Sequence, residues 1–286
     1  MSYTELITVE NFGPYANIPS TTLTEEERQS TPYSQFFDLP INLPSEETIK
    51  ALMPGNEIDP SIAILPEECG KLFAPGYLEC ENGYCVLPQG FGFSAVKIDM
   101  PEVQPEMLQF WFPWYLSSTV HYKTWLPDMH IEMRMLERGH ASTEDLGWGP
   151  ELPLLGAGFM YRMEDFGITD PTGNDPDFIR FFGGATPIIS PEDDPTNFEP
   201  KAYLSMVNYV RRKGTGLEWR VRTWIGVAYQ NGEYILDPTE SPVPLLERVR
   251  LLACHNAWEW NRMATLLPAI YKFAKENGLE APDPRA

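Results

Sequence analysis

Basic side chains are few in this sequence: 21 Lys and Arg stand against 41 Asp and Glu, a formal charge of −20. So acidic a surface repels phosphate backbones and anionic headgroups, which argues against nucleic acid and membranes as partners. The one basic cluster, Arg211-Arg212-Lys213, is short and reads as a solvated turn. Long apolar runs are missing too. A membrane helix needs about 20 apolar residues, and the best segment, around 107–116, is shorter and interrupted by Pro113. The opening MSYTELITVENFGPY has no basic start followed by an apolar stretch, so no secretory signal is read there. Four cysteines, Cys69, Cys80, Cys85 and Cys254, are too few to staple 286 residues. Cys80 and Cys85 flank a turn that would suit a metal or a disulfide, but free thiols are the expectation, and with them a cytoplasmic setting. No Gly-x-Ser-x-Gly elbow occurs, which argues against a serine hydrolase. GFGF at 90–93 lacks the Lys-Ser/Thr of a phosphate loop. No repeat of 20–50 residues is visible.

What is present is apolar, aromatic and proline-rich. Hydrophobic residues make up 43% of the chain and aromatics 13%, enough for a sizeable core or a ring-lined cavity. The 28 prolines argue against a simple helical bundle.

The chain divides in texture near residue 84. Residues 1–83 read as an N-terminal arm of short helices and a candidate dimer surface. Thr24-Glu25-Glu26-Glu27 opens one helix as a capping box, and Ser45-Glu46-Glu47-Thr48 opens another. Residues 84–286 carry strand patterns at 84–87, 90–98, 157–168, 202–211 and 217–229, with an aromatic helix at 105–116. Asn231-Gly232 signals a hairpin before Tyr234. The segment 170–200, with six prolines, reads as a long loop or lid. A long C-terminal helix is expected from a cap at Ser241 and Pro242 to a stop at Asn277-Gly278. Together these predict an α+β fold in which a curved antiparallel sheet wraps on that helix, with a cavity between them.

Histidine is scarce, at His121, His130, His140 and His255. His255 and Glu259 are four apart in an apolar helix, so they share one face. An inward pair of this kind needs a partner, and a cation serves; a surface pair that only stabilises the helix has the same spacing. His130 follows the Pro127 turn. Glu164 lies in a strand-like stretch whose alternation leaves its face open. Two imidazoles and two carboxylates suit Zn²⁺, and also Fe²⁺ or Mn²⁺.

Trp125-Leu126-Pro127-Asp128 before His130, Glu164, Arg220-Val221-Arg222-Thr223-Trp224, and the His255/Glu259 pair stand in one order. As an ordered set over residues 85–275 they resemble the diacetylphloroglucinol hydrolase and phloretin hydrolase family. The resemblance implies a helix-grip fold similar to Bet v 1, an N-terminal helical part involved in dimerisation, and zinc on His130, Glu164, His255 and Glu259. It implies cleavage of the carbon–carbon bond between an acyl group and a polyhydroxylated ring, giving a carboxylic acid and a phenol. It places Tyr122, eight residues before His130, in the substrate pocket. Glu164 is then the candidate general base, and Trp111, Trp114 and Trp224, with Phe110, are candidate walls for a flat phenolic substrate or else core. Relatives carry a further histidine before the Arg-x-Arg motif. This chain has none between 141 and 254, and Asn208 is the residue expected in its place. An amide donates a hydrogen bond to an oxyanion but cannot deliver a proton. A polyketide cyclase or lyase on the same scaffold is therefore one rival reading, and a non-enzymatic hydrophobic binder is another, since helix-grip cavities also carry hydrophobic ligands.

Overall fold

The computed structural model describes residues 6–13, 22–127, 129–135, 141–145, 154–158, 175–189, 194, 197, 199–230, 232–238, 241 and 243–280. Short helices come first: α1 (Val9–Phe12), α2 (Glu25–Ser30) and α3 (Glu46–Ala51). At α2 the Thr24 hydroxyl accepts from the Glu27 N–H while the Glu27 carboxylate accepts from the Thr24 N–H, the reciprocal pair that the sequence signals. Ser45 caps α3 through the Thr48 N–H. Helices this short do not persist alone in water; docking holds them. The Phe12 ring lies 5.4 Å from that of Trp258. Arg250 donates to the carbonyls of Asn11 and Leu52, and Arg262 to those of Phe36 and Pro40.

Among the described residues, eight strands then form one antiparallel sheet: β1 (Gly83–Val86), β2 (Gly92–Met100), β3 (His130–Met135), β4 (Ala141–Asp145), β5 (Leu154–Gly158), β6 (Phe178–Ile189), β7 (Ala202–Lys213) and β8 (Gly216–Ile225). Their order is β1-β2-β8-β7-β6-β5-β4-β3. Two helices, α4 (Pro105–Leu116) and α5 (Thr119–Trp125), carry the chain from β2 to β3 at the far edge. The strands meander back until β8 pairs with β2. The chain ends in α6 (Leu245–Glu276), which packs on β1, β2 and β8. A Cβ at Gly92 would lie 2.8 Å from the Val249 Cβ and 2.7 Å from the Ile225 Cγ2, so glycine is what lets α6 come this close to β2. Gly278, at φ 64°, stops the helix, and the Leu279 N–H returns to the Ala274 carbonyl at 2.9 Å. The α+β architecture with an antiparallel sheet and a C-terminal helix is the expected one.

Residue alternation sorts the two faces of the sheet. In β8, Leu217, Trp219, Val221 and Ile225 join the core around α6, while Trp224 joins a second core with Ile64, Leu72, Phe73 and Phe93 on the opposite face. That opposite face also holds a buried ionic group. Glu81 meets Arg220 at 2.6 Å and Arg222 at 2.7 Å, beneath the 64–81 segment.

Four expectations change. The 170–200 segment is not all loop, because β6 runs through it. Its aromatic and β-branched residues from Phe178 to Phe182 pair along β7, and Pro187 falls near the strand end. Arg211-Arg212-Lys213 is no solvated turn. It ends β7, where Arg211 is buried against Glu218 at 2.8 Å and Asp175 at 3.4 Å, partners remote in sequence or on the adjacent strand. The 217–229 run breaks at Gly226, whose φ of 90° separates β8 from β9 (Val227–Gln230). β9 forms the expected hairpin with β10 (Glu233–Leu236). Finally, Ser241 caps the turn before the helix, accepting from the Val243 N–H, and α6 itself starts at Leu245.

Candidate metal centre

Three predicted ligands converge. His130 opens β3, directly after the turn that follows α5; its backbone N–H bonds the Leu126 carbonyl at 3.0 Å. His255 and Glu259 project from one face of α6, a turn apart. The His130 Nε2 lies 3.6 Å from one Glu259 carboxylate oxygen, and the His255 Nε2 lies 3.6 Å from the other. Potential ligand atoms of all three residues fall within 4.8 Å of one another, and all three are buried. Glu164 lies outside the described residues.

The donor chemistry fits a cation such as Zn²⁺. The Nδ1 of His130 faces the Tyr122 carbonyl at 2.9 Å. A carbonyl only accepts, so Nδ1 carries the proton and the Nε2 lone pair is directed at the cluster. Burial, together with the nearby His255, holds the His130 pKa well below the ordinary histidine value. Burial lowers that of His255 to about 4. Both rings are therefore neutral near pH 7, as metal ligation requires.

Aromatic rings fix this geometry. The Tyr122 ring stacks on His130 at 3.9 Å. The Trp125 ring stands edge-on to His130 at 5.1 Å, and its indole N–H donates to the Glu259 carbonyl at 3.0 Å. Tyr115, which the sequence hides among the rings of α4, lies 4.9 Å from Trp125 and 6.5 Å from Tyr122. Burial, reinforced by the Glu259 carboxylate, raises the Tyr115 phenol, so it stays a hydrogen-bond donor. Asn208 faces α6 from β7. Its Oδ1 accepts from the Trp219 indole at 2.8 Å, while its Nδ2 is buried with no hydrogen-bond partner among the described residues.

The candidate substrate walls are not equally placed. Trp111 lies 5.2 Å from Trp125, one ring removed from His130. Trp114 stacks on His121 at 4.5 Å and packs edge-on to Tyr33, and Phe110 also packs against Tyr33. Trp224 is on the other face of the sheet, its indole donating to the Ile64 carbonyl at 2.9 Å. Strand alternation alone does not say which face looks toward the helix, so the sequence offered no means of sorting it from Trp219. The Arg-x-Arg residues share that outer face and meet Glu81 rather than the centre. All four cysteines are free thiols and buried. Burial pushes the thiol of Cys80 up to about 11 and that of Cys85 to about 12. No helix among the described residues is long and apolar enough to cross a membrane.

Residues 64–172 match the family described as the DAPG hydrolase PhiG domain. The 2,4-diacetylphloroglucinol hydrolase of Pseudomonas protegens is 20% identical over 264 residues, spanning 85% of this chain and 85% of that protein. The phloretin hydrolase of Eubacterium ramulus is 25% identical over 271 residues, spanning 88% of this chain and 93% of that protein. Among solved structures, Ara h 8.0201 is 11% identical over 62% of this chain and all of that one, with a TM-score of 0.33, too low to bear on the fold.

Proposed function

We propose that the chain is a distant relative of the diacetylphloroglucinol and phloretin hydrolases and, like them, a hydrolase, here a zinc-dependent one acting on acylated phenols. It cleaves the bond between an acyl carbon and a polyhydroxylated ring, as in phloretin or an acylphloroglucinol. The observation that carries this reading is the buried convergence of His130, His255 and Glu259 in a chain whose relatives are hydrolases. Glu164 completes the ligand set in this proposal. The fold belongs to the helix-grip class, residues 84–286 are the catalytic part, and residues 1–83 form an arm through which the chain dimerises.

In the overall reaction, water adds its oxygen to the acyl carbon, the ring–acyl bond breaks with its electron pair moving to the ring carbon, and that carbon takes up a proton. His130, His255 and Glu259, with the imidazoles neutral, would hold the ion, which when bound would supply Lewis acidity toward a substrate oxygen and toward water. Glu164 takes a proton from the attacking water. Tyr122 donates to a ring hydroxyl and orients the acyl group. The Asn208 amide donates to the oxygen on which charge develops. Because an amide has no proton to give up, the proton reaching the ring carbon comes from another donor, for which the proposal names the Tyr115 phenol, its ring 6.5 Å from that of Tyr122.

Elemental analysis and turnover of phloretin and 2,4-diacetylphloroglucinol in one purified sample test the reading. About one zinc per chain with release of acid and free phenol supports it. Zinc without turnover of either compound favours a cyclase or lyase, a reading that the lack of any histidine between 141 and 254 supports. A metal-free protein that binds the compounds unchanged is a carrier, and the ligand set falls.

A further inference from the structure

We infer that Trp219 is a positioning residue of the site: it fixes the Asn208 amide so that the amide N–H₂ group, rather than its oxygen, is presented to a substrate oxygen. The argument starts from what an indole can do. Its N–H donates and never accepts. The amide atom 2.8 Å from the Trp219 Nε1 is therefore Oδ1, which leaves Nδ2 turned away. Asn208 is fully buried, and Nδ2 meets no acceptor among the described residues. Buried polar groups are nearly always paired, and such an exception in a native protein calls for a cause. An oxygen of a bound ligand is the missing acceptor.

Trp219 is itself held firmly. Its ring stacks on Trp260 at 4.4 Å and meets Phe182 edge-on at 5.5 Å. Trp260 follows Glu259 in α6 and packs on Trp125 at 5.1 Å, the same ring that lies 5.1 Å from His130. One run of rings thus ties the amide on β7 to the helix and strand that bear the candidate ligands. A donor fixed before the reaction needs no reorganisation when charge develops on the oxygen it faces. An amide also does not titrate, so this donor persists at every pH at which the protein is folded. As a statement about catalysis, the inference rests on the hydrolase reading above; as a statement about the orientation of the amide, it stands apart from it.

The test compares Trp219→Phe, Asn208→Ala and the double variant, each with its zinc content and melting temperature measured. Phenylalanine keeps a ring against Trp260 and Phe182 but removes the N–H, so the amide is free to turn. With whichever of phloretin and 2,4-diacetylphloroglucinol the wild type cleaves, kcat is expected to fall about 100- to 1,000-fold in Asn208→Ala, the range for losing one such donor, and by less, about 10- to 100-fold, in Trp219→Phe, where the amide is kept but no longer held. KM should stay within about threefold and the zinc content unchanged, since neither residue is a ligand. The double variant should be no slower than Asn208→Ala, because both changes remove one interaction. Wild-type kcat in Trp219→Phe, or losses that multiply in the double variant, overturn the inference. The orientation is read separately in the ¹⁵N spectrum of the side-chain amides, where the Asn208 pair is identified by its loss in Asn208→Ala. That pair should shift or broaden in Trp219→Phe; if it stays in place, the positioning role fails whatever the kinetics. If it moves while the wild type cleaves neither compound, the positioning stands and the substrate assignment fails.

Discussion

The imidazole of His130 lies parallel to the phenol ring of Tyr122, 3.9 Å away with an interplanar angle of 2°, and its Nδ1 donates to the carbonyl of that same residue at 2.9 Å. Side chain and backbone of one residue thus set both the plane and the tautomer of the imidazole. The remaining nitrogen is aimed at Glu259. In the proposed site Tyr122 therefore acts twice, through its carbonyl on the ligand and through its hydroxyl on the substrate.

These two roles separate by substitution. Tyr122→Phe keeps ring and carbonyl, so zinc content should match the wild type while kcat for the phenolic ketone falls about 100-fold, within the range for losing a positioned acid–base or hydrogen-bonding group. Tyr122→Ala removes the stacked ring as well and should also weaken metal binding, about 10-fold or more as for other groups that orient ligands. Metal titration of the two apo variants checks this. Equal affinity in both would show that the stacking does not hold His130.

Glu259→Ala should lose both metal and activity while the fold survives. The change leaves two neutral imidazoles and no bare buried charge, so the stability penalty is that of a truncated side chain, about 1–3 kcal/mol. Elemental analysis and the far-ultraviolet circular dichroism of the variant report the two properties. Full metal occupancy would remove Glu259 from the ligand set.

His121 gives a stability prediction away from the centre. It is buried, its Nδ1 facing the Trp114 carbonyl at 2.9 Å and its Nε2 facing the Thr31 hydroxyl at 2.8 Å. Burial, only partly opposed by the bond to the Trp114 carbonyl, lowers its pKa from 6.5 to about 4. The folded protein thus binds fewer protons here than the unfolded chain. The contribution to stability is complete above pH 6.5 and is lost as pH falls through about 4, amounting to about 3 kcal/mol. His121→Gln should be less stable at pH 7 but lose correspondingly less between pH 7 and 4. Urea unfolding at both pH values measures the difference, and parallel losses in the two proteins would exclude His121 as a source of acid lability.

The outer face of the sheet should answer to stability rather than to chemistry. Arg220 and Arg222 hold the Glu81 carboxyl below its usual range although burial works against its charge. Glu81→Ala leaves two buried guanidinium groups without their counter-ion, at a cost of about 3–5 kcal/mol. The melting temperature should drop by several degrees while kcat per folded molecule, measured well below the transition, stays near that of the wild type. A selective loss of kcat would assign the Arg-x-Arg motif to the reaction after all.

Local patterns in the sequence determine a good deal of this protein. Thr24 with Glu27 announces a helix start, Gly278 a helix stop and Gly232 a hairpin, because each depends only on backbone groups a few residues away. The spacing of His255 and Glu259 puts both on one face of a helix for the same reason. The resemblance to the hydrolases was likewise legible in short motifs. Only the tertiary structure decided that His130 reaches that pair, since the meeting depends on α4 and α5 carrying the chain across to the far edge of the sheet. Only it showed that Trp219 faces α6 while Trp224 faces away, and that Arg211 is buried against Glu218 and Asp175. A strand's alternation separates two faces without saying which one is covered, and the partners that permit a charge to be buried lie on segments that the local pattern does not connect.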